Sequence, residues 1–336
     1  MKTPVKKSLL AAALALAAFV SPTHLRAQAP APAASGSATS NPGDFYQFVN
    51  ATGGAFTDDQ ISYTIDGQTF TMAQAKSHPI VNKPAQRITF KLTNAQGTYS
   101  DFIEYTQNAS WNGNTSYVDA FALPMTIELF KADGSSQIMG IKESRKALFE
   151  LFKKQAPPEF QACVDGDRRI GSPRKGDMGD GKPHADYFDK YVDEIWATYA
   201  TPKTLPDGWT GKVENGALIF SKPGEKDKTL PRKPTTKEIL QGSGILGGSP
   251  GFCAAFNRHV AADPGDWFDP TKFYQQLPYN FYAKFWHEHT VDGKAYGFCY
   301  DDFAGQASYM SSPATKLIIT FYWDNPPATQ PKAAAK

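Results

Sequence analysis

A chain of 336 residues, 41% hydrophobic and 13% aromatic, is long enough to bury one large core or two joined ones. Its 35 basic and 33 acidic residues nearly balance, and residues 1–29 hold Lys2, Lys6, Lys7 and Arg26 but no acid, so the remainder carries a net −2 and lacks the attraction a nucleic-acid partner needs. Three cysteines, Cys163, Cys253 and Cys299, allow at most one disulfide, which excludes a disulfide-dense scaffold and leaves an odd thiol.

In chain order, Lys2, Lys6 and Lys7 precede an uncharged apolar run from Leu9 to Val20 and small residues around Ala27 and Ala29. That pattern predicts a cleavable signal peptide over 1–29, hence a secreted or periplasmic protein without a membrane partner once the signal is removed. Residues 30–43, rich in Ala, Pro and Ser, read as a flexible lead-in.

From 44 to 141 short alternating runs predict strands: Phe45 to Val49, Ile61 to Ile65, Gln68 to Met72, Arg87 to Leu92, Ser100 to Thr106, Tyr117 to Ala122 and Thr126 to Phe130. Turn chemistry at Asp66-Gly67, Asn94 to Gly97, Asn112-Gly113 and Asp133-Gly134 separates them. A β-sandwich or barrel is expected, completed by residues 295–324 with a strong strand at Leu317 to Trp323.

An α/β segment is expected over 142–294. Apolar spacing predicts helices at Glu143 to Lys154, from His184 or Asp186 to Tyr199, and at Phe252 to Val260, with a hairpin at Gly211 to Phe220. The polar stretch Asp165 to Lys182 reads either as a disordered insertion or as a loop lining a site. Residues 325–336 form a polar tail expected to be mobile.

Chemistry concentrates in Asp101 to Thr106 and Asn114 to Met125. If Phe102 to Thr106 pairs antiparallel with Ser116 to Ala122 through a turn at Asn112-Gly113, Glu104 and Asp119 fall near one level of the sheet. Hydrolysis of a glycoside needs such a pair, one carboxyl giving a proton to the leaving oxygen and one carboxylate acting on water or on the sugar.

The wording around these acids resembles thaumatin-like proteins, in Glu104-Tyr105-Thr106 and in Ser116-Tyr117-Val118-Asp119-Ala120-Phe121-Ala122-Leu123-Pro124-Met125. With Arg169 to Pro173, Tyr187 to Asp189, Gly216 to Phe220, Ala254 to Arg258, Asn280 to Ala283 and Gly297 to Asp302, the chain is similar to glycoside hydrolase family 64 over residues 44–323. The resemblance implies a mainly β protein with an α/β lobe: a thaumatin-like β-domain joined to a mixed α/β domain around a wide groove. It implies inverting hydrolysis of β-1,3-glucan to short oligosaccharides such as laminaripentaose, with Glu104 as general acid and Asp119 as general base.

The resemblance also implies substrate contacts from Asn114, Arg169, Asn280, Tyr300, Asp301 and Asp302. Trp111, Tyr117, Trp209, Trp267, Tyr279 and Trp286 are the aromatic candidates for sugar stacking. Two departures stand out: Cys299 where the family has proline, and a different loop at Lys175 to Lys182. The expected partner is a β-1,3-glucan, bound by a monomer; the alternative is a non-catalytic glucan-binding or antifungal thaumatin-like protein.

Other chemistries find less support. His287-Glu288-His289 offers two histidines without a third ligand, and Asp165-Gly166-Asp167 and Asp177 to Gly181 complete no calcium loop, so no metal or other cofactor is expected. Gly242-Ser243-Gly244 lacks the elbow of a serine nucleophile.

Overall fold

The structure, a computed structural model, describes residues 45–324. The signal peptide, the lead-in and the tail expected from the sequence lie outside the described residues. No helix among those residues is long and apolar enough to cross a membrane.

Alternation of buried and outward residues, as in Tyr99-Ser-Asp-Phe-Ile-Glu-Tyr105, makes strands with one wet face and one buried face. Six of them form an antiparallel sheet in the spatial order Tyr309–Ser312, Trp111–Thr115, Gly97–Gln107, Gln86–Asn94, Ile61–Ile65, Gln68–Thr71. A five-stranded sheet runs Ser136–Gly140, Met125–Phe130, Lys316–Phe321, Tyr46–Asn50, Ser77–His78. The final strand thus sits centrally, parallel to Tyr46–Asn50 and antiparallel to Met125–Phe130.

The two sheets share one core, in which Phe48 stacks on Tyr63 at 4.0 Å and Phe90 meets Phe321 edge-on at 5.0 Å. A second core gathers the helices Arg145–Gln155, Asp189–Thr198, Thr236–Gln241, Pro250–Asn257 and Phe281–His289 with the meander Lys203–Thr204, Thr210–Glu214, Ala217–Ser221, Lys228–Leu230. Helix starts follow their caps: Ser144 and Asn280 each accept an N–H three residues on, and Thr235 forms a capping box with Glu238.

The predicted strand Tyr117 to Ala122 shrinks to Ala120–Phe121, which pairs with Arg169–Gly171. Here the chain passes between cores: Phe121 belongs to the second, Ala122 and Leu123 to the first. Two buried charged groups pin this crossing. Asp101 accepts the N–H groups of Ala122 and Leu123, both at 2.8 Å, while the Arg145 guanidinium donates to the carbonyls of Ala122 at 2.8 Å, Asp167 at 2.5 Å and Arg168 at 2.7 Å. Burial pushes the Asp101 carboxyl up to about 7 against the opposing pull of these N–H groups and of Arg145.

The stretch 165–182 is ordered, holding strand Arg169–Gly171 and a 3-10 turn Pro173–Lys175.

Replacing Asp101 with alanine strands two buried N–H groups and is expected to lower unfolding stability by ~3 kcal/mol. Asp101→Asn, which keeps an acceptor oxygen, should lose roughly 1 kcal/mol. Urea unfolding of the three proteins, followed by fluorescence, checks the ordering.

Candidate active site

Glu104 projects from the outer face of the six-stranded sheet, because its neighbours Ile103 and Tyr105 fill the core. Its partners in register are Arg87 on one side and Asn114 on the other, and Asn114 in turn faces Tyr309. Arg87 Nη2 lies 2.7 Å from Glu104 Oε1, both side chains being about half exposed, and the guanidinium sits 3.7 Å over the Phe102 ring. Asn114 Oδ1 is buried and meets no hydrogen-bond partner.

This register corrects the expected hairpin. The turn lies at Asn108 to Ser110, and Asn112-Gly113 runs inside strand Trp111–Thr115, so Glu104 faces Asn114 and not Asp119. Gly113 is a strand residue for a steric reason: a Cβ there would lie 2.7 Å from the Glu104 carbonyl oxygen and inside the Trp111 ring.

Asp119 follows on the irregular segment after Thr115. Tyr117 donates its N–H to the Tyr296 carbonyl at 2.9 Å and accepts the Tyr282 hydroxyl at 2.6 Å, and the Ser172 N–H reaches the Asp119 carbonyl at 3.0 Å. The Asp119 carboxylate pairs with Arg174 and, at 2.7 Å, with Lys175. Partial burial acts to raise its pKa, but Lys175 and Arg174 outweigh that and hold it below the usual carboxylate range.

Burial pushes the thiol of Cys299, in the 297–302 turn, upward; Asp119 and Glu104 add to the rise and Arg174 opposes it. That turn is tightly seated: Gly242, at φ +58°, leaves no room for a side chain against Cys299 and Tyr300, and the Gly248 N–H donates to the Tyr300 hydroxyl at 3.0 Å.

Other predicted contact residues serve the fold. Trp111 is fully buried, lying parallel to Tyr105 with 6.4 Å between ring centroids, and Tyr117 is buried against Phe121 and Trp286. Asn280 caps a helix and donates to Asn257 Oδ1 at 2.8 Å. Asp301, expected to line the site, is 0% exposed, 2.9 Å from Arg258 and 3.0 Å from His287 Nε2. Burial would raise Asp301, yet His287, Arg258 and the Gly297 N–H hold it low.

Asp302 is half-buried and accepts the Tyr296 hydroxyl at 3.4 Å, with burial pushing its carboxyl up. Arg169 is exposed and pairs with Asp165 at 3.4 Å. Trp209, Trp267 and Trp286 are core residues, and Tyr279 packs against that core half-buried. His287 and His289 diverge along their helix, the second bonding Glu143 at 2.9 Å, and no group of three metal-ligating side chains occurs among the described residues.

The structure places Asn114 beside Glu104 in register and ties the Asp119 segment to Tyr296 through the Tyr117 N–H, and it adds Arg87, Arg174 and Lys175, which the sequence pattern did not single out. Arg87 carried a signal, since it lies at an outward position of an alternating strand beside another. Arg174 and Lys175 sit 55 and 56 positions beyond Asp119, a separation no local pattern reveals.

Removing both cations, as Arg174→Met with Lys175→Met, is expected to return the Asp119 titration toward the ordinary carboxylate range, as read by carboxyl NMR. The sign for stability follows. A carboxylate whose folded-state pKa lies below its unfolded one stabilises the fold above the unfolded value, and that contribution fades as pH falls through the folded value. The doubly substituted protein should thus lose less stability on acidification than the parent.

The family model for beta-1,3-glucanase of glycoside hydrolase family 64 matches residues 48–321. A glucan endo-1,3-beta-glucosidase of Arthrobacter sp. (strain YCWD3) is 27% identical over 235 residues, 62% of this chain but 42% of the relative, so the chain spans less than half the length of that curated protein. The crystal structure of a beta-1,3-glucanase domain from Clostridium beijerinckii superposes with a TM-score of 0.73 at 26% identity, covering 84% of this chain and 99% of that one. A laminaripentaose-producing beta-1,3-glucanase from Paenibacillus barengoltzii, solved with laminarihexaose, gives a TM-score of 0.67 at 26% identity over 84% of this chain and 76% of its own. With the family match running through both hydrophobic cores and across both acids, this chain belongs to glycoside hydrolase family 64.

Proposed function

We propose that this chain hydrolyses β-1,3-glucan by an inverting acid and base mechanism. The observation that carries the reading is the pair of half-exposed carboxylates, Glu104 and Asp119, on separate elements, each with its own cationic partners. Separate partners keep the two from sharing a proton, so they can take opposite roles.

Asp119, held ionised by Lys175 and Arg174, is the base that takes a proton from the attacking water. Glu104 is the acid that protonates the departing glycosidic oxygen, a role in which its carboxyl must leave Arg87 and meet the sugar. Inversion needs the two carboxyl groups roughly 6.5–9.5 Å apart, so that water stands between one of them and the sugar.

We read the two-sheet sandwich as the thaumatin-like lobe and the space between it and the helical lobe as a groove for an extended glucan. The Paenibacillus relative is described as producing laminaripentaose, and release of short oligosaccharides is our expectation here. Residues 1–29 support export, and the site acts in a monomer.

Incubation with laminarin or curdlan tests the reading by the appearance of reducing ends. Early product examined by NMR should be the α-anomer; a β-anomer would overturn inversion. Glu104→Gln and Asp119→Asn are each expected to lower kcat by at least about 100-fold while glucan binding persists. Full activity in either would remove that residue from its role, and binding without any cleavage by the parent would favour a glucan-binding protein.

A further inference from the structure

Along the edge strand Tyr309–Ser312 an aromatic ring lies in line with the acid. Tyr309 is 52% exposed, directly opposite Asn114, which is directly opposite Glu104. Three adjacent strands thus carry a straight row on the wet face of the sheet: ring, amide, carboxylate. Strands lie about 4.8 Å apart, so the ring stands roughly 10 Å from Glu104.

Exposure alone decides nothing, since single apolar side chains on a surface are ordinary. The bracket around the ring is more informative. The Tyr309 hydroxyl donates to Asn112 Oδ1 at 3.2 Å, and Ser311 Oγ donates to the same oxygen at 2.5 Å. Asn112 itself is anchored through Nδ2 to the Ser110 carbonyl at 2.9 Å. Asn112 pairs with Ser311 and is therefore the diagonal neighbour of Tyr309, a spacing that an aromatic side chain spans only by lying along the sheet. The ring is held at its far end by the hydroxyl contact while about half of the residue stays exposed.

We propose that Tyr309 is a stacking platform for a glucosyl unit of the bound β-1,3-glucan, beyond the unit whose linkage meets Glu104; this rests on the hydrolase reading above. A pyranose presents a face of C–H groups that packs on an aromatic ring, and a preset ring gives that contact at small entropic cost. That contact does not depend on charge, as an uncharged polysaccharide requires.

Binding that is the same in ground and transition states appears in KM and not in kcat. Tyr309→Ala is expected to raise KM for laminarihexaose about tenfold, with kcat falling far less. Tyr309→Phe, which keeps the ring, should stay within about twofold of the parent. An unchanged KM in Tyr309→Ala, or a loss as large in Tyr309→Phe, would overturn the assignment, with unchanged melting temperatures showing that both variants fold. Calorimetry with laminarihexaose on Glu104→Gln, with and without Tyr309→Ala, separates the two readings. If the parent fails to cleave laminarin, hydrolysis is wrong, yet a tenfold weaker affinity on losing the ring still supports the platform; equal affinities sink it.

Discussion

The buried carboxylate of Asp101 holds together the two halves of this molecule at the place where the segment bearing Asp119 is set. It binds the two N–H groups of the chain as it crosses between cores, and Arg145 takes the carbonyl of the same crossing. Asp119 stands three residues upstream of Ala122, so whatever fixes the crossing limits where Asp119 can lie. Asp101 and Glu104 are also three apart on one strand, and an odd separation sends them to opposite faces. A single strand therefore presents one acid outward and, through its inward neighbour, tethers the segment bearing the other.

Around the outward acids the electrostatics are arranged in separate cells. Glu104 answers to Arg87 from its own sheet, whereas Asp119 answers to Arg174 and Lys175 from the turn that follows strand Arg169–Gly171. A third cell lies deeper, where Asp301 is enclosed by Arg258, His287 and the Gly297 N–H. That buried pair is costly unless complete, and here each carboxylate oxygen has a donor, so its work is to fix the 297–302 turn.

Local pattern made the strands and most helices legible, because alternation and helical spacing are properties of neighbouring residues. It misplaced the hairpin at Asn112-Gly113 because that dipeptide has turn chemistry, while the real demand for glycine comes from the Trp111 ring folding back over the strand. Asp301 read as a site acid for a similar reason: its partners Arg258 and His287 lie 43 and 14 positions away, and nothing beside it in the chain announces burial. Asn280 and Trp111 carry groups that suit sugars, but a cap and a core were already using them. Glu104 and Asp119 were readable only through the wording around them, since an isolated carboxylate on a strand is usually a solvated one.

A neutral polysaccharide cannot be drawn in by the charges that hold these acids, so its affinity must come from surfaces that neither cation serves. The row on the wet face meets that demand with an exposed aromatic side chain two strands from the carboxylate. Each member is positioned by sheet register and not by a loop, so spacing between them is set by backbone hydrogen bonds and varies little with temperature or ligand. The opposing acid, by contrast, reaches the site from irregular chain secured by Tyr282, Tyr296 and Ser172. On the proposed hydrolase reading, substrate alignment belongs to the rigid sheet, and the position of the attacking water belongs to the segment whose anchors come from the other core.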